Sequence, residues 1–414
     1  SGLIIDCDEK KNALRNLFKN SKVAFIYGAA GTGKSTMINY ISSLFKDKQK
    51  IFLANTNPSV ENLRRKVTAE HAEFVTITKF LSKDVSNDCD ILCLDECSTI
   101  SNRDMVRVLQ RAQCKLLVLV GDIYQIESIL FGNWFNIAYK VMPKDSVAEL
   151  TRPHRTTVQG LIEVWNKVRE ITEDRLEFIT RNGLSSTLDE SIFSRTEEDE
   201  IVLCLNYDGI YGINNINKFL QSNNVNPSIN WGVLSYKVGD PVLFNESNRF
   251  APLVYNNLKG KILQIEEEED CIYFTIEVYT VLNELDVIGF DLELKESVTD
   301  ETSVIRFKVG RGGDGNDDND NVENVVPFQV AYAISIHKAQ GLEYESVKVV
   351  ITSEIEEMVS HNIFYTAITR AKSKLKIYWS PETEKRILEN MKVQFNDKDY
   401  QLFKAKYKEA LLKS

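Results

Sequence analysis

Four hydrophobic runs without polar alternation occur in the first 150 residues: "KVAFIY", "KIFLAN", "DILCLDE" and "KLLVLVGD". A strand that is buried on both faces has such a continuous run, as in parallel sheets. Between the first two runs, hydrophobic residues recur at helical spacing, at Met37, Ile38, Ile41, Leu44 and Phe45. The pattern therefore predicts a βαβ series around a parallel sheet.

The hydrophobic pattern changes twice after residue 150. Residues 156–200 have a helical pattern, and "EIVLCLN" then begins a second set of buried strands. From residue 236, short strands alternate with turns in "DPVLF", "KILQI", "CIYFTIEVYTV", "VIGFDLEL" and "SVIRFKV". This pattern is typical of a small antiparallel barrel. The α/β pattern resumes at "FQVAYAI", and two amphipathic helices follow Pro381.

These changes predict three parts. Residues 1–150 form a first α/β domain, and residues 151–235 with 326–414 form a second. Residues 236–325 form a β domain inserted into the second one.

Composition agrees with a globular protein that has two or three cores. The 414 residues are 43% hydrophobic and 27% charged. Seven cysteines occur without any CxxC pair, which favours a reduced, cytoplasmic protein. Three of these cysteines, Cys89, Cys93 and Cys97, straddle a hydrophobic strand without a nearby histidine, so we expect buried side chains there rather than a metal site.

Acidic residues are concentrated in one segment. The formal net charge is −10, and residues 236–325 contain 8 Lys and Arg against 20 Asp and Glu. The remainder contains 42 Lys and Arg against 40 Asp and Glu. The net acidity is therefore a weak argument against binding to nucleic acid.

The stretch "GAAGTGKST" matches the pattern G-x-x-x-x-G-K-[ST] between a predicted strand and a predicted helix. Its glycines allow backbone N–H groups to surround a polyphosphate at a helix N-terminus, whereas the alternative is a plain glycine-rich turn. The lysine would neutralise the β and γ phosphates, and the following serine would ligate Mg²⁺. The predicted nucleotide site contains Gly28, Gly31, Thr32, Gly33, Lys34, Ser35 and Thr36.

Two further strands end in polar residues. "ILCLDECS" places Asp95 and Glu96 at the carboxyl end of a strand, where ligands of open α/β sheets bind. Asp95 would hold Mg²⁺, and Glu96 would orient and deprotonate a water molecule. The next strand ends in "GDIYQI", in which Gln125 either contacts a γ-phosphate or lies at the surface of a plain turn.

Eight stretches resemble the motifs of superfamily 1 helicases, in the same order along nearly the whole chain. They are "GAAGTGKST", "LANTNPSVENL", "TITKFL", "DECS", "GDIYQI", "LTRPHR", "HKAQGLEY" and "YTAITRA". The segments "VGDPVLFNES" and "NNLKGKI" resemble the SH3-like domain of RecD-like and Dda-like helicases, the B subgroup. The resemblance implies an α/β fold with two RecA-like P-loop NTPase domains, an inserted SH3-like β-barrel, and 5′→3′ movement on single-stranded DNA.

The resemblance also implies how ATP is bound between the two RecA-like domains. The first domain would supply Lys34, Ser35, Asp95, Glu96 and Gln125. Arg155 and Arg370 of the second domain would contact the γ-phosphate, because arginine presents planar donors and a permanent charge. Gly341 and Glu343 would lie near the nucleotide, with Glu343 toward the ribose.

The strand-binding groups implied by the resemblance are mostly neutral. Hydroxyl, amide and backbone groups would contact phosphates, and aromatic rings would stack on bases. Tyr207, Phe80 and Tyr124 are candidates for stacking, with core packing as the alternative for Phe80. The predicted strand-binding residues are Thr56, Asn57, Thr76, Thr78, Tyr207, Asn217, Ser335, His337 and Lys338.

Two features depart from the family pattern. Lys10 and Lys11 stand where a glutamine that reads adenine is usual, which leaves nucleotide specificity open. Only "SKDVSNDC" stands where RecD-like enzymes insert a strand-splitting pin, so translocation is better supported than unwinding.

The predicted activity is ATP-dependent 5′→3′ movement of a monomeric core on single-stranded DNA, with ATP and Mg²⁺ as cofactors. One alternative is an RNA helicase, because "LANTNPSVENL" also resembles the Upf-type motif. Another is a nucleotide-gated interaction module that binds protein partners through its acidic insert.

Overall fold

A computed structural model describes residues 8–17, 22–82, 87–126, 132–152, 154, 156–245, 249–251, 253–310, 324–392 and 397–413. The chain divides into two compact units. Unit 1 comprises Ser1–Leu184, Glu356–Lys374 and Glu382–Ser414, and unit 2 comprises Ser185–Ile355 and Leu375–Pro381.

Helices and strands alternate along most of the described chain. The α-helices are α1 (Asp8–Leu17), α2 (Lys34–Leu44), α3 (Asn57–Lys66), α4 (Ile77–Leu81), α5 (Asn102–Arg111), α6 (Trp134–Val141), α7 (Gln159–Glu170), α8 (Arg175–Arg181), α9 (Ile213–Ser222), α10 (His361–Ile368), α11 (Pro381–Asn390) and α12 (Asp397–Lys413). The strands are β1 (Val23–Gly28), β2 (Lys50–Ala54), β3 (Ala72–Thr76), β4 (Asp88–Leu94), β5 (Gln113–Gly121), β6 (Val147–Leu150), β7 (Ser185–Ser186), β8 (Glu200–Cys204), β9 (Ser228–Trp231), β10 (Leu234–Lys237), β11 (Pro241–Phe244), β12 (Lys259–Glu267), β13 (Cys271–Val278), β14 (Glu293–Lys295), β15 (Ser303–Gly310), β16 (Phe328–Val330), β17 (Ala333–Ser335), β18 (Tyr344–Val350) and β19 (Ala371–Tyr378).

Unit 1 contains a six-stranded sheet in the order β3-β2-β4-β5-β1-β6, and every pair in it is parallel. The four strands predicted from continuous hydrophobic runs form its interior. The two edge strands, β3 and β6, were not predicted, because an edge strand has one neighbour and tolerates polar residues. The predicted parallel α/β arrangement is confirmed.

The core of unit 1 lies on both faces of this sheet. Consecutive residues of β1, Phe25 and Ile26, are fully buried on opposite faces. Phe25 stacks on Phe135 of α6 with ring centroids 4.4 Å apart. Cys93 and Cys97 are buried free thiols, and burial raises their pKa, as expected for small core residues. Leu44, expected on the apolar face of α2, is instead 58% exposed at the helix end.

Unit 2 contains a five-stranded sheet in the order β17-β8-β18-β19-β7. It also contains a six-stranded antiparallel sheet in the order β14-β15-β13-β12-β11-β16. Phe244, Phe274, Phe307 and Phe328 pack their rings together in the core of this sheet. The insert is therefore antiparallel, as predicted, and its SH3-like barrel character stays a prediction.

One detail of the insert and one of the segment just before it differ from the sequence prediction. The strand expected over "VIGFDLEL" is reduced to β14, which begins at Glu293, and Ile288 before it is exposed rather than packed. The hairpin of β9 and β10 was not predicted, and Val233 at its tip is fully exposed.

A buried carboxylate joins several elements of unit 2. Asp240 is fully buried in the turn before β11. Its Oδ1 accepts hydrogen bonds from the Tyr332 hydroxyl (2.8 Å) and Asn224 Nδ2 (2.9 Å). Its Oδ2 accepts from the Lys237 backbone N–H (2.9 Å) and Gln221 Nε2 (2.5 Å). One carboxylate therefore links α9, β10 and the approach to β17.

We expect Asp240→Ala to lower the free energy of unfolding by about 3 kcal/mol, because it removes charge-assisted hydrogen bonds and leaves buried donors without a partner. Asp300→Ala, at an exposed carboxylate of the same insert, serves as the control and is expected to change it by less than about 0.5 kcal/mol. Denaturant unfolding monitored by circular dichroism measures both values. Equal stability of the two variants would contradict a structural role for Asp240.

Candidate nucleotide-binding site

The loop between β1 and α2 has a backbone that requires glycine. Gly31 and Gly33 have φ angles of 75° and 80°, in the left-handed region. At Gly28, a Cβ atom would lie 2.5 Å from the Leu150 carbonyl oxygen and 2.7 Å from Thr32 Oγ1. The loop can therefore approach a ligand with backbone alone at these positions.

Polar side chains hold the loop in place. Lys34 Nζ donates to the carbonyl oxygens of Gly28 (2.8 Å) and Ala29 (2.9 Å). The buried Thr32 hydroxyl also donates to the Ala29 oxygen, at 2.9 Å. Ser35 and Thr36 follow in the first turn of α2. An ammonium group therefore lies at the N-terminus of α2, where an anion is favoured.

Two carboxylates follow β4 at the same edge of the sheet. Asp95 is 8% exposed, and its Oδ1 accepts from the Glu96 backbone N–H at 2.8 Å. Burial and then the charge of Glu96 raise the pKa of Asp95 to about 6, although Lys34 acts in the opposite direction. Glu96 has a φ of 51°, an uncommon value outside glycine that is often found at functional sites.

The turn after β5 contributes a third carboxylate, which the sequence prediction missed. Asp122 is buried, and its Oδ1 accepts from the Tyr124 backbone N–H at 3.0 Å. Among the described residues, its Oδ2 has no hydrogen-bond partner. Burial raises the pKa of Asp122, whereas Lys34 and other cations lower it. Gln125 lies in the same turn, and its backbone N–H donates to the Asp122 carbonyl at 3.3 Å.

Helix α10, from the "YTAITRA" stretch, packs against two parts of unit 1, the phosphate loop and the turn after β5. The Tyr365 hydroxyl accepts from the Ala30 backbone N–H at 3.1 Å. The Thr366 hydroxyl accepts from the Ile126 backbone N–H at 3.2 Å. Arg370 is 2% exposed, and its Nε donates to the Thr366 carbonyl at 2.9 Å. Arg370 therefore lies in the unit that contains the phosphate loop.

Two of the predicted features lie outside the described residues. They are Arg155, and residues 83–86 within the short segment that replaces a pin.

The strand-binding candidates of unit 1 lie at helix starts. Thr56 caps α3 and Thr76 caps α4, where its Oγ1 accepts from the Lys79 backbone N–H at 3.2 Å. Asn57 and Thr78 are exposed beside them. Phe80 is fully buried in the core, which supports its packing alternative.

The "HKAQGLEY" stretch in unit 2 forms a tight turn after β17. Ser335 Oγ accepts from the Lys338 backbone N–H at 3.2 Å, and Lys338 Nζ donates to Gln329 Oε1 at 3.1 Å. His337 is exposed, and Gly341 has a φ of 80°. The Glu343 carbonyl oxygen accepts from Lys259 Nζ of the insert at 3.2 Å.

The other two candidates of unit 2 differ in accessibility. Tyr207 is 51% exposed after β8. The Asn217 amide pairs with both backbone groups of Ala333, each at 2.9 Å, and so fixes α9 to β17.

Comparison with known proteins gives two family matches. Residues 7–189 match the "AAA domain" model, and residues 330–378 match the "UvrD-like helicase C-terminal domain" model. Together they cover more than half of the chain.

Three curated relatives align with most of this chain. An uncharacterized protein of Methanocaldococcus jannaschii is 24% identical, over 89% of this chain and 37% of its own length. The RecD subunit of the RecBCD enzyme from Buchnera aphidicola is 22% identical, over 91% and 76%. The ATP-dependent DNA helicase Pif1 of Campylobacter jejuni is 23% identical, over 86% and 88%.

The solved structure of Bacteroides Pif1 helicase, in complex with ADP-AlF3 and ssDNA, has a similar fold. The TM-score is 0.54 at 17% identity, with 91% of this chain and 93% of that chain covered. The chain belongs to the RecD/Pif1-like group of superfamily 1 helicases. In the part of the chain that the structure describes, no helix is long and apolar enough to cross a membrane.

A serine that the sequence prediction missed connects two parts of the site. Buried Ser59 donates through its Oγ to Glu96 Oε2. The Ser59 and Thr56 hydroxyl oxygens are 2.9 Å apart, and the Ser59 backbone N–H donates to Thr56 Oγ1 at 3.3 Å. Its position three residues after the capping Thr56 was the available signal. The contact with Glu96 joins segments 37 residues apart, so no local pattern indicates it.

Replacing Ser59 by Ala removes the hydroxyl that holds Glu96. A general base, which is the role predicted for Glu96, contributes about 10²–10⁴-fold to a rate. Loss of its positioning alone is therefore expected to lower kcat for ATP hydrolysis by about tenfold, with little change in KM. Steady-state ATPase kinetics measure both parameters.

Ser98→Ala is the matched control, because the buried Ser98 hydroxyl has no partner among the described residues. An unchanged kcat in Ser59→Ala would show that this hydrogen bond does not orient Glu96.

Proposed function

We propose that this chain is an ATP-driven 5′→3′ translocase and helicase on single-stranded DNA. One observation carries the proposal: the phosphate loop with Lys34 and the acidic pair Asp95 and Glu96 share one sheet edge in a RecD/Pif1-like chain. The Campylobacter relative is named an ATP-dependent DNA helicase, and the Bacteroides neighbour was solved with ssDNA and ADP-AlF3.

The residues at this edge fit a nucleotide with Mg²⁺. No described group of three His, Cys, Asp or Glu side chains could hold a metal alone, and Mg²⁺ at such sites is typically held by one or two protein groups plus substrate phosphates. Ser35 and buried Asp95 would hold it. Bound Mg²⁺ would neutralise charge on the β and γ phosphates.

The other residues have distinct proposed roles. Lys34 exchanges its carbonyl partners, Gly28 and Ala29, for phosphate oxygens. Glu96 accepts the proton of the attacking water, and Gln125 bonds that water and the γ-phosphate. Arg155 and Arg370 balance the charge that develops on the phosphoryl group, while Gly341 and Glu343 lie beside the nucleotide.

The strand binds mainly through neutral groups. Exposed hydroxyl and amide groups at the starts of α3 and α4 suit phosphate contacts, and the exposed ring of Tyr207 suits a base. Further contacts come from the turn after β17 and from α9. The proposed set is Thr56, Asn57, Thr76, Thr78, Tyr207, Asn217, Ser335, His337 and Lys338.

The proposed domain organisation follows the same family. Residues 1–150 form the first RecA-like domain, and residues 151–235 with 326–414 form the second. Residues 236–325 form an SH3-like barrel, supported by the antiparallel sheet of that region, and its acidic surface suits basic protein partners.

Lys34→Ala is expected to abolish ATP turnover, because it removes the ammonium group that would bind the transferred phosphate. ATPase assays with and without a single-stranded oligonucleotide measure this loss, and circular dichroism confirms folding. In the wild-type protein we expect single-stranded DNA to raise turnover. Turnover that is indifferent to any strand would instead favour a nucleotide-gated interaction module.

Strand displacement tests direction and substrate. We expect release of the short strand from duplexes with a 5′ single-stranded tail, and none from 3′-tailed or blunt duplexes. Release from 3′-tailed duplexes alone would contradict the proposed direction. Matched DNA and RNA oligonucleotides complete the test, and stimulation by RNA alone would favour the RNA helicase.

A further inference from the structure

A buried lysine lies against the phosphate loop. Lys10 of α1 is 4% exposed. A Cβ atom placed on Gly33 would lie 2.5 Å from Lys10 Nζ, 3.2 Å from Lys10 Cε and 3.5 Å from Thr36 Oγ1. The Lys10 ammonium group therefore lies against Gly33, the last glycine of the loop and the residue that precedes α2, although α1 comes before β1 in the chain.

This ammonium group has no counter-charge within the described part of the chain. No ion pair or hydrogen bond connects Lys10 to another described residue. An ammonium group on a side chain that is only 4% exposed is poorly hydrated, so binding of an anion beside it is favourable. The neighbouring Lys34 ammonium donates to the carbonyls of Gly28 and Ala29, whereas Lys10 has no such partner in the part of the chain that the structure describes.

We propose that Lys10 is a second phosphate-binding ammonium group of the nucleotide site. This inference rests on the proposed function of the Gly28–Thr36 loop. Lys10 binds the polyphosphate that is common to all nucleoside di- and triphosphates, at the Gly33 end of the loop. Lys10 thereby raises nucleotide affinity without selecting a base.

The chemistry of lysine favours this role over reading adenine. Adenine presents one acceptor and one donor along its edge, and an amide can match both. An ammonium group has three donors and no acceptor, so it can match only one. Phosphate oxygens accept only, which suits a group that donates only.

The test compares ligands with and without a base. Titration of ADP, GDP and inorganic tripolyphosphate, measured by isothermal calorimetry, gives three dissociation constants. We expect Lys10→Met to weaken all three by about tenfold, because one unscreened charge is lost near the phosphates. Lys10→Arg keeps the charge and should retain most of the affinity.

Lys11→Met is the matched control, since Lys11 is adjacent on α1 and less buried than Lys10. It is expected to bind all three ligands as the wild type does. Thermal unfolding shows whether each variant folds. Should Lys10→Met not fold, Lys10→Gln compared with Lys10→Arg supplies the same contrast between neutral and charged side chains.

Two results would overturn the proposal. The first is affinity of Lys10→Met within about twofold of wild type for all three ligands. The second is a loss confined to ADP with tripolyphosphate unchanged, because Lys10 would then read the base.

Lys34→Ala separates failure of this inference from failure of the proposed function. If the Lys34→Ala variant binds nucleotide normally, the nucleotide site lies elsewhere. Both the proposed function and the proposed role of Lys10 are then wrong. If it loses binding while Lys10→Met does not, only the role of Lys10 fails.

Discussion

Backbone pairing of β5 with both of its neighbours is the constraint on which the nucleotide site depends. Leu119 of β5 pairs with Phe25 of β1 and with Leu94 of β4, so the three strands are in register just before they end. Because parallel strands end at the same edge, the turns after them are brought together. The phosphate loop, the Asp95–Glu96 pair and the Asp122 turn therefore need no long-range salt bridge to meet.

This arrangement brings charged groups of both signs close to the phosphate loop. Asp95 and Asp122 are buried carboxylates whose pKa is raised by burial, and the charge of Lys34 lowers the pKa of both. A second cation, Lys10, lies against Gly33 of the phosphate loop. Burial of charged groups is costly, and a ligand that carries complementary charges lowers that cost. A polyphosphate with a divalent cation carries both complementary charges. We therefore expect nucleotide binding to stabilise the folded chain.

The sequence predicted the interior strands of unit 1, because burial on both faces removes polar residues from β1, β2, β4 and β5. The short edge strands and the β9–β10 hairpin lack that signal. Among site residues, local motifs indicated the phosphate loop and the acidic pair. Ser59 and Asp122 were missed, and Lys10 was noted only as a departure from the family pattern, because their contacts join distant segments and neither spacing nor residue type encodes such contacts.

The hydroxyl pair at the start of α3 has a consequence for hydrogen-bond direction. A hydroxyl carries a single hydrogen, and an ionised carboxylate can only accept. Ser59 gives its hydrogen to Glu96, so the 2.9 Å contact requires Thr56 to give its own hydrogen to Ser59. Any acceptor that reaches the exposed Thr56 must compete for that hydrogen. An acceptor bound at Thr56 would therefore weaken the Thr56–Ser59 hydrogen bond. Ser59 is in turn bonded to Glu96, so such a contact lies two hydrogen bonds from the carboxylate at the nucleotide site.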